Sequence, residues 1–209
     1  MRALKVFIVE GSQAYATMFL NAGWQITHDI TEADLVQFTG GEDVSPFLYG
    51  QPVHPTTGAS PRRDLVESGY FSWAQRRNIP MAGICRGGQF LNVMNGGAMY
   101  QDVDSHAIRG THKCFDGVTK EWHEVTSTHH QMMKPGMAGK VIAHGEEATN
   151  VIDHDGAEFV NIGSMNSVEV VYYDTTCSLC FQPHPEFHGA DTTSSYYFEL
   201  LERYLGLGV

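Results

Sequence analysis

The segment Met81-Ala82-Gly83-Ile84-Cys85-Arg86-Gly87-Gly88-Gln89 constrains the fold more than any other part of the chain. After Pro80, Met81–Ile84 is a short apolar run that reads as a buried strand. Phe90, Val93 and Met94 then recur at helical spacing, and Asn95-Gly96-Gly97 closes that helix. Cys85 is left on a sharp strand-to-helix turn. Small residues flank it because bulkier side chains would clash in so tight a bend. A cysteine that was merely buried would need none of these glycines. The geometry is that of a nucleophile elbow, in which a strained turn pushes a reactive side chain outward. The N-terminus of the following helix favours a thiolate there, and the Arg86 backbone N–H is positioned to stabilise an oxyanion.

The flanking sequence repeats the strand-then-helix order. Leu4–Val9 reads as a strand, and Tyr15, Met18 and Phe19 mark a helix that Gly23 stops. Trp24–Thr27 and Leu35–Phe38 are further strands. Thr39-Gly40-Gly41-Glu42-Asp43 is a turn leading into a loop with Pro46, Pro52, Pro55 and Gly58. Ser60 and Pro61 start a helix, with Ser60 as the capping hydroxyl and Leu65, Gly69 and Trp73 expected on one face; Asn78 ends it. This order predicts a parallel sheet covered by helices on both sides.

The second half reads as short strands: Val125–Thr128, Val141–His144, Phe159–Ile162, Val168–Tyr173 and Leu179–Phe181. Ser195–Leu205 is an amphipathic helix with Tyr197, Leu200, Leu201 and Tyr204 on its apolar face. No repeat, low-complexity tract or linker interrupts the chain, so residues 1–209 are read as one α/β domain.

A thiolate nucleophile needs a proton acceptor. Phe181-Gln182-Pro183-His184-Pro185-Glu186-Phe187 supplies one where a strand ends and two prolines stiffen its exit. His184 and Glu186 are two residues apart, so in extended backbone both face the same way. Glu186 can then hold the imidazole tautomer and stabilise the imidazolium.

The formal net charge of −11 argues against a nucleic-acid partner, because an acidic surface repels phosphate backbones. No apolar run approaches the roughly 20 residues of a membrane span. The start, MRALKVFIVE, alternates too much for a signal peptide, so the cytoplasm is the expected compartment. The four cysteines are accordingly expected to be free thiols.

Four blocks, in order, resemble a class I glutamine amidotransferase. They are Gly40 through Pro46 with Leu48-Tyr49-Gly50; Arg63-Asp64 with Glu67; Gly83 through Gln89, continued by Asn92-Val93 and Gly96-Gly97 to Gln101-Asp102-Val103; and Ser127-Thr128-His129-His130-Gln131 with His184-Pro185-Glu186. Within that superfamily the chain is most similar to the γ-glutamyl-hydrolase-like branch, which includes γ-glutamyl-γ-aminobutyrate hydrolases.

The resemblance implies a three-layer flavodoxin-like fold with a mostly parallel central sheet, and the second-half strands add antiparallel members to it. The site is expected at the carboxyl ends of the strands. It also implies roles. Cys85 matches the nucleophile, His184 the general base and acid, and Glu186 the third triad member. Gly41 and Arg86 match the oxyanion-hole N–H donors, Gln89 lines the glutamine pocket, and Ser127, Thr128 and His129 hold the α-amino and α-carboxylate end of a glutamyl substrate.

Glutamine or another γ-glutamyl amide is therefore the expected substrate, with no cofactor. The leading reading is a glutaminase module that supplies ammonia to a separate synthetase. A free-standing γ-glutamyl hydrolase competes with it, and a catalytically silent binding module is the reading from another class. Two features depart from the family pattern. Gly88 replaces a larger side chain, which implies a wider pocket or a looser turn, and the stretch between Asp102 and Ser127 is short.

Other residues read as ordinary structure. His106, His112, His123, His129 and His130 crowd one stretch, and two or three could meet in space with Cys114 among them, but no pair has the spacing of a zinc motif, so a scatter of surface and pocket histidines and no metal are expected. Cys177 and Cys180 form a single CxxC in or beside a strand, which fits neither zinc nor a redox motif. Cys114, among polar neighbours, reads as a loop thiol. Arg63 and Glu67 are one helical turn apart: either a solvated ion pair or a brace for the loop after Gly41.

Overall fold

The computed structural model describes residues 2–108, 110–146, 149–152 and 159–208. The strands in chain order are β1 (Lys5–Val9), β2 (Gln25–Ile26), β3 (Leu35–Phe38), β4 (Met81–Ile84), β5 (Ala98–Tyr100), β6 (Gly110–Asp116), β7 (Glu121–Ser127), β8 (Met132–Lys134), β9 (Lys140–Gly145), β10 (Asn150–Ile152), β11 (Phe159–Asn161), β12 (Val168–Tyr173) and β13 (Ser178–Phe181). The α-helices are α1 (Gln13–Asn21), α2 (Pro61–Arg76), α3 (Arg86–Met94) and α4 (Asp191–Leu205).

One sheet runs β2-β1-β3-β4-β13-β12-β9-β6-β7. From β2 to β13 every pairing is parallel, and from β13 to β7 every pairing is antiparallel. The parallel strands that matter most here, β3 and β4, are buried along their whole length, as a sheet covered on both faces requires. Tyr15, Met18 and Phe19 of α1 and Tyr196, Tyr197, Leu200 and Leu201 of α4 pack on one face. Phe71 and Ala74 of α2 and Phe90, Leu91 and Val93 of α3 pack on the other. This is the three-layer sandwich expected from the sequence, with the antiparallel strands drawn from its second half.

Several local expectations are corrected. The buried face of α2 is Arg63, Asp64, Glu67, Phe71 and Ala74, while Leu65 is 76% exposed. The face carries buried charges, so apolar periodicity pointed to the wrong side. The Ser60 side chain makes no capping bond; its carbonyl accepts the Asp64 N–H at 3.0 Å. Cys114 lies in β6 and is fully buried, not in a loop. β6 itself reads as polar, because its inward positions include Cys114 and Asp116.

Gly88 does not mark a loose turn: a Cβ there would stand 2.8 Å from the Phe181 backbone nitrogen of β13. All four cysteines are free thiols. Among the described residues, no helix is long and apolar enough to cross a membrane.

Candidate active site

Cys85 stands between β4 and α3 with φ 50° and ψ −113°, a conformation that side-chain-bearing residues rarely adopt. Its backbone is held on both sides: Cys85 N–H donates to Phe181 O at 2.7 Å, and Gln89 N–H donates to Cys85 O at 2.9 Å. The strand and the helix thus over-determine a strained residue, which fixes where its thiol points.

His184 follows β13, the parallel neighbour of β4, so sheet pairing carries it to the same end of the sheet as Cys85. Its backbone N–H donates to Thr126 Oγ1 at 2.7 Å, and its ring stacks on Phe187 with centroids 4.3 Å apart. Nδ1 meets Glu186 Oε1 at 2.6 Å, the length of a charge-assisted bond. Burial pulls the His184 pKa down. The Cys85 charge and hydrogen bond, followed by Glu186, outweigh it and raise the pKa to about 10.

The turn after β3 is moored from below by Arg63. Its Nη2 donates to Thr39 O at 2.9 Å and Gly40 O at 3.0 Å, Nη1 to Glu42 Oε2 at 3.0 Å, and Nε to Glu67 Oε1 at 2.9 Å. Gly41 has φ 140°, and a Cβ there would collide with Arg63 Nη1 at 2.1 Å, so only glycine fits. The Arg86 side chain turns away from the cleft, donating to Glu42 O at 3.1 Å and Asp64 Oδ1 at 2.5 Å and pairing with Glu67. Burial first, then the Arg63 charge, lowers the Arg86 pKa to about 10. Arg63, Asp64, Glu67 and Arg86 are all buried, so the reading of a solvated ion pair gives way to the brace.

A cleft of about 240 Å³ is lined by Gly41, Cys85, Arg86, Gln89, Thr128, His129 and His184, together with Asp43, His130 and Gln131. Every residue singled out from the sequence borders it except Glu186, which sits behind His184, and Ser127. Ser127 is fully buried, and its Oγ donates to His106 O at 2.5 Å.

Sequence reasoning missed two residues at the site. Gln182 Nε2 donates to Cys85 Sγ at 3.7 Å and accepts Gln89 Nε2 on its own Oε1 at 3.2 Å. The Tyr15 hydroxyl accepts the Gly40 N–H at 2.9 Å, and its pKa is raised by burial and then by the Glu186 charge. Tyr15 was read only as part of a helix face, but a tyrosine that is almost fully buried needs a partner for its hydroxyl. Gln182, two residues before His184, was open to the same argument for a buried amide.

Three of the five histidines meet in space, while His130 pairs with Asp43 and His123 stacks on Tyr196. His106, His112 and His129 gather around the buried carboxylate of Glu169. The ligand atoms of His106, His129 and Glu169 lie within 4.8 Å of one another.

A family profile described as Peptidase C26 matches residues 6–186. The glutamine amidotransferase-like protein YvdE of Lactococcus lactis subsp. lactis is 34% identical over 142 residues, 58% of this chain and 60% of that protein. A Schizosaccharomyces pombe protein named for glutamine amidotransferase is 31% identical over 177 residues, 79% of this chain and 68% of that one. Thus the chain spans about two thirds of the length of these relatives.

Among solved structures, a glutamine amidotransferase from Thermotoga maritima superposes with a TM-score of 0.63 at 13% identity, covering 99% of this chain and 85% of that one. PurLQS from Thermotoga maritima gives a TM-score of 0.64 at 18% identity, covering 98% of this chain and 100% of that one. At these identities the two structures speak to the fold alone.

Proposed function

The chain belongs to the Peptidase C26 family of glutamine amidotransferase-like proteins, and from that premise we propose that it hydrolyses γ-glutamyl amides through a thioester at Cys85. One observation carries the reading. A strained cysteine at the start of α3 faces an imidazole whose far nitrogen is held by Glu186 at 2.6 Å. That is the order of nucleophile, base and orienter that acyl transfer needs.

In the resting site the pair is written as thiolate and imidazolium. The thiolate attacks the γ-carbonyl, and the backbone N–H groups of Gly41 and Arg86 hold the oxyanion. The His184 imidazolium gives its proton to the departing ammonia or amine as the C–N bond breaks, leaving a γ-glutamyl thioester. Neutral His184 then takes a proton from water, and the hydroxide attacks the thioester carbonyl. Glutamate leaves and the ion pair is restored. Glu186 stabilises the imidazolium at both ends of the cycle, and removing one oxyanion donor costs about 3 kcal/mol in transition-state stabilisation. Gln89, Thr128 and His129 border the cleft where the glutamyl end would lie.

The preferred setting is a glutaminase that passes ammonia to a separate synthetase. Its support is the likeness in fold to a Thermoplasma acidophilum protein described as a GMP synthase subunit, with a TM-score of 0.65 at 16% identity, covering 99% of this chain and 94% of that one. The family's peptidase description favours the second setting, a free-standing γ-glutamyl hydrolase.

Incubating the purified chain with glutamine and with γ-glutamyl anilides, then measuring glutamate, ammonia and aniline, tests both. Glutamate from either substrate is expected, and its absence from both would reject the chemistry. Rapid turnover of the anilide alone would favour the hydrolase setting.

A further inference from the structure

Beside the cleft, four side chains from separate stretches converge: His106 from the loop after Val103, His112 of β6, His129 after β7, and Glu169 of β12. Glu169 is fully buried and is the only charged residue in the run Val168–Tyr173. A buried carboxylate needs a compensating charge. Val168 pairs with His144 and Val170 with Ala143, so Glu169 is the extra residue of a β-bulge. Bulges re-aim a side chain beside a functional site. His106 Nδ1, His112 Nε2 and His129 Nε2 stand 3.7, 3.1 and 3.8 Å from Glu169 Oε1.

The outer hydrogen bonds fix the ring orientations. His129 Nδ1 faces the Gln131 carbonyl at 2.8 Å. A carbonyl only accepts, so Nδ1 donates to it, and Nε2 is the ring atom turned toward Glu169. His106 Nε2 meets Thr149 Oγ1 at 2.7 Å, and that hydroxyl donates onward to Ser167 Oγ at 3.1 Å. Ser167 Oγ lies 3.3 Å from the same Nε2, so two hydroxyls hold that edge of the ring and leave His106 Nδ1 facing the carboxylate.

His106 Nδ1, His129 Nε2 and both carboxylate oxygens of Glu169 are buried without a hydrogen-bond partner, a want that a bound cation would satisfy. The separations of 3.7 and 3.8 Å exceed the roughly 2.8 Å of a charge-assisted hydrogen bond. They are close to the ~3.4 Å between two ligands of a tetrahedral zinc ion. The ligand atoms of His106, His129 and Glu169 all lie within 4.8 Å of one another.

We propose that His106, His129 and Glu169 form a buried site for one divalent transition-metal ion, of which zinc is the best match. Two imidazoles and one carboxylate suit zinc better than the all-oxygen sites of calcium or magnesium. Thr149 and the Gln131 carbonyl are the outer partners that orient ligating histidines. A cavity of about 550 Å³ bordered by His106, His112, Thr149 and Ser167 gives a path from solvent.

The ion would tie β12 and the loop carrying His106 to the segment carrying His129, which also lines the cleft. Through the Gln182 N–H donated to Glu169 O at 2.9 Å, it would also brace the approach to His184. Its role is structural. The inference is independent of the cysteine chemistry.

The test uses the full chain made without a metal-affinity tag, in a Cys85→Ser background so that the thiol does not compete for zinc. After chelation the chain is titrated with Zn²⁺ and with Co²⁺. One equivalent bound per chain, a raised Tm, and the visible bands of tetrahedral cobalt are expected. Glu169→Gln should lose the stoichiometric site. Thr149→Val, which removes only an outer hydrogen bond, should weaken binding about 10–100-fold. If Glu169→Gln does not fold, the parent chain and Thr149→Val decide. A folded parent chain with no saturable zinc and an unchanged Tm would overturn the site, leaving a histidine–carboxylate cluster held by protons. Full retention of binding in both variants would overturn it too, because the ion would then sit elsewhere.

Discussion

Gly83 lies so close to Gly87 that a Cβ on Gly83 would stand 2.2 Å from the Gly87 carbonyl oxygen. The last turn of β4 and the first turn of α3 therefore touch backbone to backbone, and this contact throws Cys85 outward. Gly83→Ala should cost about 1–3 kcal/mol of stability, the usual penalty of overpacking, with a larger loss of any Cys85-dependent activity. Gly69, exposed on α2, has nothing within 4 Å of its would-be Cβ. Gly69→Ala should be neutral or stabilising by up to about 1 kcal/mol. Urea denaturation of the two variants checks the contrast, and equal effects would contradict it.

Glu67 is wholly buried and pairs with both Arg63 and Arg86. Glu67→Gln should cost about 3–5 kcal/mol, because two buried guanidinium groups would lose their shared counter-charge. The milder Arg63→Lys keeps the charge but loses the fork that holds Thr39 O and Gly40 O. It should fold, with kcat for γ-glutamyl hydrolysis falling more than KM changes, since the displaced turn carries the Gly41 N–H. A pure KM effect would argue against that role for the turn.

The His184 pKa is raised from 6.5 to about 10, so the folded state holds a proton that the unfolded chain releases near neutrality. The stability this contributes is full below about 6.5 and is lost as pH rises through about 10. Cys85→Ala removes the largest raising cause and leaves Glu186 alone against burial, so the His184 titration should move to lower pH. NMR titration of the imidazole in both chains measures this. Identical titrations would show that Cys85 and His184 do not interact.

Much of the site was legible because its chemistry is local. The elbow residues are consecutive, β3, β4 and β12 have the residue limits read from their apolar runs, and His184 follows β13 directly. What escaped was burial of charge. The inward face of α2 carries Asp64 and Glu67, whose counter-charge Arg86 is 22 residues from Asp64, so no periodicity within α2 reveals it. The gathering of His106, His112 and His129 on Glu169 likewise depends on β6, β7, β9 and β12 being sheet neighbours. The available signal was Glu169 itself, a lone charge inside an apolar strand.

The central claim is a covalent γ-glutamyl intermediate on Cys85, and acid-quenched mass spectrometry of the chain during turnover tests it most directly. With glutamine or a γ-glutamyl anilide in excess, the account predicts one γ-glutamyl group on the peptide carrying Cys85 and none in Cys85→Ala, which stays folded and releases no glutamate. Glutamate release at near wild-type rate by Cys85→Ala, with no adduct in either chain, would contradict it.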